Sequence, residues 1–246
     1  MHNQIIDINA DVGEGIGNES LLMPYISSCN IACGGHAGDY ETMLEVVKLA
    51  KQHKVKIGAH PSFPDKEHFG RKVIEMPCAA LFSSIKKQID DLIKILDTEH
   101  LVIHHIKPHG ALYNLAAIDE RTANVIVEVM KSFVLPIKLY VPYKSVIADL
   151  ALKNNINITY EAFADRNYND DLTLVSRQEK WALIDDESVI FEHVFKMVSE
   201  HKVKTINSIE VALKAETFCI HGDTPKAVKL AKSLKNKLEK RGFKVM

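Results

Sequence analysis

Short apolar segments rich in β-branched residues alternate along the chain with longer segments of helical period, and almost every junction carries Gly, Pro, Asp or Asn. That rhythm predicts repeated βα units. Strands are expected at 4–10, 30–32, 56–59, 101–106, 137–141, 157–161 and 217–220. Several read as apolar on both faces, as around Val55, Ile57 and Ala59, which suits a buried parallel sheet. Helices are expected at 40–53, 79–97, 120–133, 145–154, 188–201 and 225–241. In 79–97 the residues Ile85, Ile89, Leu92, Ile93 and Leu96 form one stripe at helical spacing, and Pro77 stands where a helix start tolerates proline. In 225–241 the stripe is Ala227, Leu230, Ala231, Leu234 and Leu238, with Thr224 expected as N-cap, Pro225 as first helical residue and Gly242 as terminator. Asp39 is expected to cap 40–53 in the same way.

Seven strands with intervening helices fit a barrel or an open doubly wound sheet. At 246 residues the chain has the length of a single α/β barrel, which commonly runs to about 250 residues as one domain. No linker or composition break divides it, so one domain over 1–246 is expected. A net charge of -1 offers no global field for nucleic acid or an anionic membrane. Locally the charge is uneven: the first 47 residues hold seven acids and no Lys or Arg, while 224–246 holds eight bases and one acid, Glu239. The basic end reads as a solvated helix face, with partner docking as a second reading. The N-terminus lacks a signal-peptide pattern and no window approaches the ~20 apolar residues of a membrane span, so a cytoplasmic location is expected. Cys29, Cys33, Cys78 and Cys219 have no CxxC spacing and suit reduced thiols; Cys29 and Cys33 read as small packing residues rather than metal ligands.

What favours the barrel is the chemistry at the strand ends. Asn9, Asp11 and Glu14 follow the first expected strand, His36 and Asp39 the second, and His60 the third. Lys107 and His109 follow the fourth, Asp165 and Arg166 the sixth, His221 and Asp223 the seventh. In a βα barrel all these ends share one mouth, whereas an open sheet would spread them along an edge. Singly, each has an ordinary reading: Asp11 and Glu14 in DVGEG could simply build a turn. His36, His60, His109 and His221 stand out from the other histidines because each follows an apolar strand and is trailed by a small residue or proline, and as a set they favour function. His2, His53, His68, His100, His193 and His201 read as terminal, loop or exposed helical positions. His105 and His109 are four apart, but the intervening Ile-Lys-Pro forbids the helix of an HExxH site. Neither a P-loop, a GxGxxG turn after a strand, nor a GxSxG elbow is found.

The stretches DINADVGEG from Asp7, NIACGGHAGD from Asn30, GAHPSFPD from Gly58, FGRK from Phe69, KPHGALYN from Lys107, EAFADR from Glu161 and CIHGDTP from Cys219 resemble, in order, the signatures of the LamB/YcsF family. Its members are the A subunit of prokaryotic 5-oxoprolinase. The resemblance implies a distorted TIM-like (β/α) barrel related to the glycoside hydrolase and deacetylase superfamily. It also implies ATP-dependent opening of 5-oxo-L-proline to L-glutamate together with subunits B and C, with ATP handled by those partners because this chain shows no phosphate cradle. Opening a lactam needs a base for water and donors or positive charge for the tetrahedral intermediate. Asp11, His60, His109, His221 and Asp223 are the candidate bases or acids, and Lys107 the candidate for stabilising negative charge, with Arg71 beside it. Arg166 or Arg177 is suited to clamp a carboxylate or phosphate. Asn9, Glu14, His36, Asp39, Asn114 and Asp165 complete the candidate binding set. The same donors suit a divalent metal that activates water, with no ligand set dictated by spacing. Two other functions remain in view: a stand-alone metal-dependent carbohydrate or amide deacetylase, and a non-catalytic ligand-binding subunit.

Overall fold

The computed structural model describes residues 5–224 and 226–246. Seven parallel strands close a barrel: β1 (Ile5–Val12), β2 (Ser28–Ala32), β3 (Lys56–His60), β4 (His105–Ile106), β5 (Lys138–Pro142), β6 (Ile158–Phe163) and β9 (Thr217–Ile220), the last pairing with both β6 and β1. Between β6 and β9 lies a two-stranded antiparallel ribbon, β7 (Lys202–Lys204) with β8 (Glu210–Ala212), and β10 (Lys244–Val245) extends the sheet beside Ile5 and Ile6. The helices are α1 (Glu19–Leu22), α2 (Tyr40–His53), α3 (Cys78–Thr98), α4 (Gly110–Ala116), α5 (Glu120–Lys131), α6 (Val146–Lys153), α7 (Glu187–Glu200) and α8 (Ala227–Lys240). Among the described residues, no helix is long and apolar enough to cross a membrane.

The helices take their places through the stripes their sequences carry. On α3, Leu81, Ile85, Ile89, Leu92, Ile95 and Leu96 are buried, and α8 buries Ala227, Leu230, Ala231, Leu234 and Leu238. Each fully buried Leu or Ile contributes about 1.5–3 kcal/mol. Asp39 caps α2 by accepting from the Thr42 N–H at 2.9 Å.

Several expectations change. The strand expected at 101–106 shrinks to His105–Ile106, and that at 4–10 runs on to Val12, with Gln4 outside the described residues. Thr224 does not cap α8, which begins after Lys226 without a side-chain cap; its hydroxyl instead lies 3.5 Å from the His221 carbonyl, and Pro225 falls outside the described residues. His193 is not on an exposed face: it follows Ile190 by three positions and borders Val194, so it sits at the inner edge of α7 with a buried Nε2.

Candidate active site

On β1 the residues Asp7, Asn9 and Asp11 alternate with Ile6, Ile8, Ala10 and Val12, so the apolar set faces the helices and the polar set faces the barrel axis. Asn9 and Asp11 thus belong to the strand itself, rather than to the turn after it. They can do so because other strands supply partners. Asp7 accepts from the Ser28 and Thr217 hydroxyls at 2.6 and 2.7 Å. Asn9 donates to Glu161 at 2.9 Å and to Thr217 at 2.8 Å, while the Asn30 amide donates to Asn9 and Asp11 at 2.7 Å each. His105 Nε2 donates to the Asn30 carbonyl oxygen at 2.7 Å and its ring stacks on Tyr140.

Above this layer the Lys107 ammonium lies 2.9 Å from Asp11, 3.0 Å from Glu161 and 3.0 Å from the Cys219 sulfur. Its three N–H bonds go to Asp11, Cys219 and, at 3.4 Å, the Asn9 side-chain oxygen, and Glu161 adds a second ion-pair contact inside the barrel. Burial opposes the charge on Asp11, but His60 and Lys107 outweigh it and hold the carboxyl well below its usual range. Burial likewise opposes the charge on Lys107, and Asp11, Cys219 and Glu161 raise it well above an ordinary lysine.

At the mouth, His60, at the end of β3, donates from Nδ1 to the Lys107 carbonyl at 2.7 Å. His109, the residue before α4, donates from Nε2 to the Phe69 carbonyl at 2.9 Å. Those bonds assign the tautomers when the rings are neutral, and they leave His60 Nε2 and His109 Nδ1 as lone pairs 2.9 Å apart. Two facing lone pairs repel, so the pair is poised to take up a proton or a cation between them. Asp11 lies 3.4 Å from His60 Nε2 and Glu14 lies 3.4 Å from His109 Nδ1, ready to neutralise it. Burial, then the charges of His60 and His36, keeps His109 well below an ordinary histidine. Phe69 presents its carbonyl from a left-handed conformation, φ 57°, which costs about 1–2 kcal/mol for a residue with a Cβ.

His36 stacks on His109 with ring centroids 3.6 Å apart, and its Nε2 meets Glu14 at 2.9 Å. Burial pushes His36 down to about 4, and burial together with the charge of Asp11 pushes Glu14 up to about 7. On the opposite side, fully buried Asp165 accepts from the His221 backbone N–H at 2.9 Å and from Nδ1 at 2.9 Å. Burial works against the Asp165 charge, yet His221 holds it below its usual value.

These groups border a cavity of about 400 Å³, on whose wall lie Asp11, His60, Lys107, His109, Arg177 and His221. Arg71, Asn114 and Arg166 also line it. Arg166 bonds the Ala182 and Val175 carbonyls, which pins the loop after β6. Arg71 and Arg177 both face Asp223. Asp39 stands apart as the exposed cap of α2, and Asn9 lies in the floor beneath the site.

Asn30, His105, Glu161 and Cys219 stand outside the candidate set drawn from the sequence, where His105 is discounted as a metal ligand and Cys219 read as a reduced thiol, yet all four are buried and bonded into the same network. Their signal was polarity at alternate positions within strands. Among the described residues, three donor groups have metal-like spacing, with atoms inside 4.8 Å: Asp11, His60 and His109; Glu14, His36 and His109; and Asp11, Cys219 and His221. In the last, the Lys107 ammonium already bridges Asp11 and Cys219. The first fits a divalent cation best. It offers one carboxylate and two imidazole lone pairs, and each ring is oriented by an N–H bond to a backbone carbonyl, as ligating histidines usually are.

The whole fold is shared with solved structures. The chain is 36% identical to the lactam utilization protein from Thermus thermophilus, with a TM-score of 0.93, covering 98% of this chain and 99% of that one. A protein from Enterococcus faecalis assigned to cellobiose-phosphate cleavage shares the fold at 13% identity, with a TM-score of 0.57 over 99% of this chain and 97% of that one. Residues 6–246 match the model of the LamB/YcsF family, and the chain belongs to that family.

Proposed function

We propose that this chain is the lactam-opening subunit of an ATP-hydrolysing 5-oxoprolinase, converting 5-oxo-L-proline to L-glutamate together with partner subunits B and C. The observation that carries the reading is the His60–His109 pair, backed by Asp11, on the wall of the cavity in a family member similar to a lactam utilization protein.

Water adds to the lactam carbonyl carbon, and its proton passes to the imidazole pair. The ring C–N bond then breaks, and the nitrogen leaves as the amine after taking a proton, which opens the ring. Asp11, kept ionised beside His60 and Lys107, stabilises the imidazolium that forms. Lys107 acts by fixing Asp11, since its own donors are engaged. ATP consumption by the complex, with nucleotide handled by the partners, phosphorylates the amide oxygen and makes the ring carbon electrophilic; breaking the C–N bond then gives an acyl phosphate, and a second water yields the carboxylate and inorganic phosphate.

A divalent cation is the second reading, favoured by the facing lone pairs. Asp11, His60 and His109 would hold it, and when bound it would supply Lewis-acid activation of water or of the lactam carbonyl.

The deciding assay follows glutamate formed from 5-oxoproline and ATP, with partner subunits present and each component omitted in turn. Turnover should need this chain, and His109→Ala should lower it by about 100-fold or more, the scale of general acid–base catalysis. Near-normal turnover in His109→Ala removes the assignment. Release of acetate from acetylated sugars without ATP, in place of glutamate, moves the chain to the deacetylases. Metal content measured alongside activity after chelation decides the cation: full turnover in metal-free protein excludes it.

A further inference from the structure

Arg71, Arg177 and Asp223 come from three different loops, following β3, β6 and β9, and meet at the cavity. Arg71 Nη2 donates to Asp223 Oδ2, and Arg177 Nη1 lies 3.7 Å from that same oxygen. Neither guanidinium has another side-chain hydrogen-bond or ion-pair partner among the described residues, so most of their N–H edges are free. Both arginines line the cavity, whereas Asp223 is not part of its wall. Its side chain is 15% exposed, and its second oxygen is buried without a partner. The carboxylate therefore holds the two arginines from behind rather than filling the space before them.

Two guanidiniums repel unless an anion lies between them. One carboxylate contacts both arginines, with Asp165 acting on Arg177 from further off, and nearby Arg166 adds to the crowding. Burial, and after it the charge of Arg177, pulls Arg166 down to about 10. Paired free edges of guanidinium match the oxygens of a carboxylate or phosphate.

We propose that Arg71 and Arg177 form an anion-binding clasp at the cavity mouth, and that Asp223 is the positioning residue which draws the two guanidiniums together. This deepens the lactam-opening reading, on which it rests for the identity of the natural ligand: the clasp would take the carboxylate of 5-oxoproline or a phosphoryl group on it.

The sign of one substitution tests it. Plain electrostatics says that removing a negative charge beside an anion site strengthens anion binding; the clasp says the reverse, because the arginines separate. Binding of 5-oxoproline, 2-pyrrolidinone and inorganic phosphate is measured by calorimetry on the full chain, as wild type, Asp223→Asn, Arg177→Gln and the control Glu179→Gln. Asp223→Asn and Arg177→Gln should each weaken 5-oxoproline or phosphate by about tenfold or more, leaving 2-pyrrolidinone, which has no carboxylate, unchanged. Glu179→Gln makes the same charge change on the loop that carries Arg177 and should move nothing by more than about twofold. Unchanged or tighter anion binding in Asp223→Asn overturns the clasp, as does a wild type that binds neither anion. If phosphate binds in an Asp223-dependent way and 5-oxoproline does not, the clasp stands and the lactam reading fails. If 5-oxoproline and phosphate each bind wild type and Asp223→Asn alike, the clasp fails and the lactam reading stands.

Discussion

Lys107 carries an ammonium into the middle of a barrel, where only 2% of its side chain is exposed, and sets it between two carboxylates that are as deeply buried. Desolvating three charges is expensive, and their attraction offsets that cost only while all three are present. Lys107→Met should therefore leave Asp11 and Glu161 as uncompensated buried acids and destabilise the protein by about 3–5 kcal/mol in urea unfolding. Adding Glu161→Gln should restore part of that loss; a single variant as stable as wild type would show that Lys107 does not hold the network together. The same geometry revises how Lys107 is read from the sequence, where a lysine after a strand suggests a cation facing substrate. Whether its donors face the ligand or the protein depends on Glu161 and Cys219, which lie 54 and 112 positions further along.

The strands show the same dependence at the scale of elements. Gly58 on β3 lies against the His105 ring of β4: a Cβ there would sit 2.2 Å from His105 Nε2, which is held by Asn30 and stacked on Tyr140. Gly58→Ala should cost about 1–3 kcal/mol by forcing that ring off Asn30. In a His105→Ala background the same change should cost almost nothing, and an equal cost in both backgrounds refutes the clash. The seven barrel strands and six of the helices were legible because each has a local period: Ile85, Ile89 and Leu92 on α3 announce a buried stripe without any knowledge of what covers it. The ribbon of β7 and β8, the two-residue β10 and the short α4 were not, since those three strands bury at most one side chain each and carry no apolar run, while the seven residues of α4 make only about two helical turns. Within the site, clustering at strand ends was visible as a pattern of His and acids. The polar barrel axis was hidden in plain alternation: Asp7, Asn9 and Asp11 have the period of a strand, but polar residues suggest a loop unless their partners are known. Those partners, such as Thr217 for Asp7, are up to 210 positions away.

For the whole molecule, burial of so many imidazoles couples stability to pH. His36, His104 and His193 are each pushed by burial from 6.5 to about 4, and His105 and His109 fall well below 6.5 from the same cause. Between pH 6.5 and 4 the unfolded chain therefore binds protons at these positions that the folded chain refuses. Their contribution is complete above pH 6.5 and is lost as pH falls through the folded-state values. Glu14 acts in the opposite sense: raised from 4.5 to about 7, it takes a proton on folding across that interval and offsets one histidine. The net balance still lies with the histidines, and each uncompensated proton steepens the loss by about 1.4 kcal/mol per pH unit. Denaturant midpoints measured with chelator present should hold between pH 8 and 7 and fall steadily from pH 6.5 to 4.5. Glu14→Gln, which removes the offsetting group, should make that fall steeper by about one proton, whereas a flat midpoint from pH 7 to 5 would mean that the imidazoles at the mouth and along the barrel axis are solvated and titrate freely, contrary to the packing that sets the site.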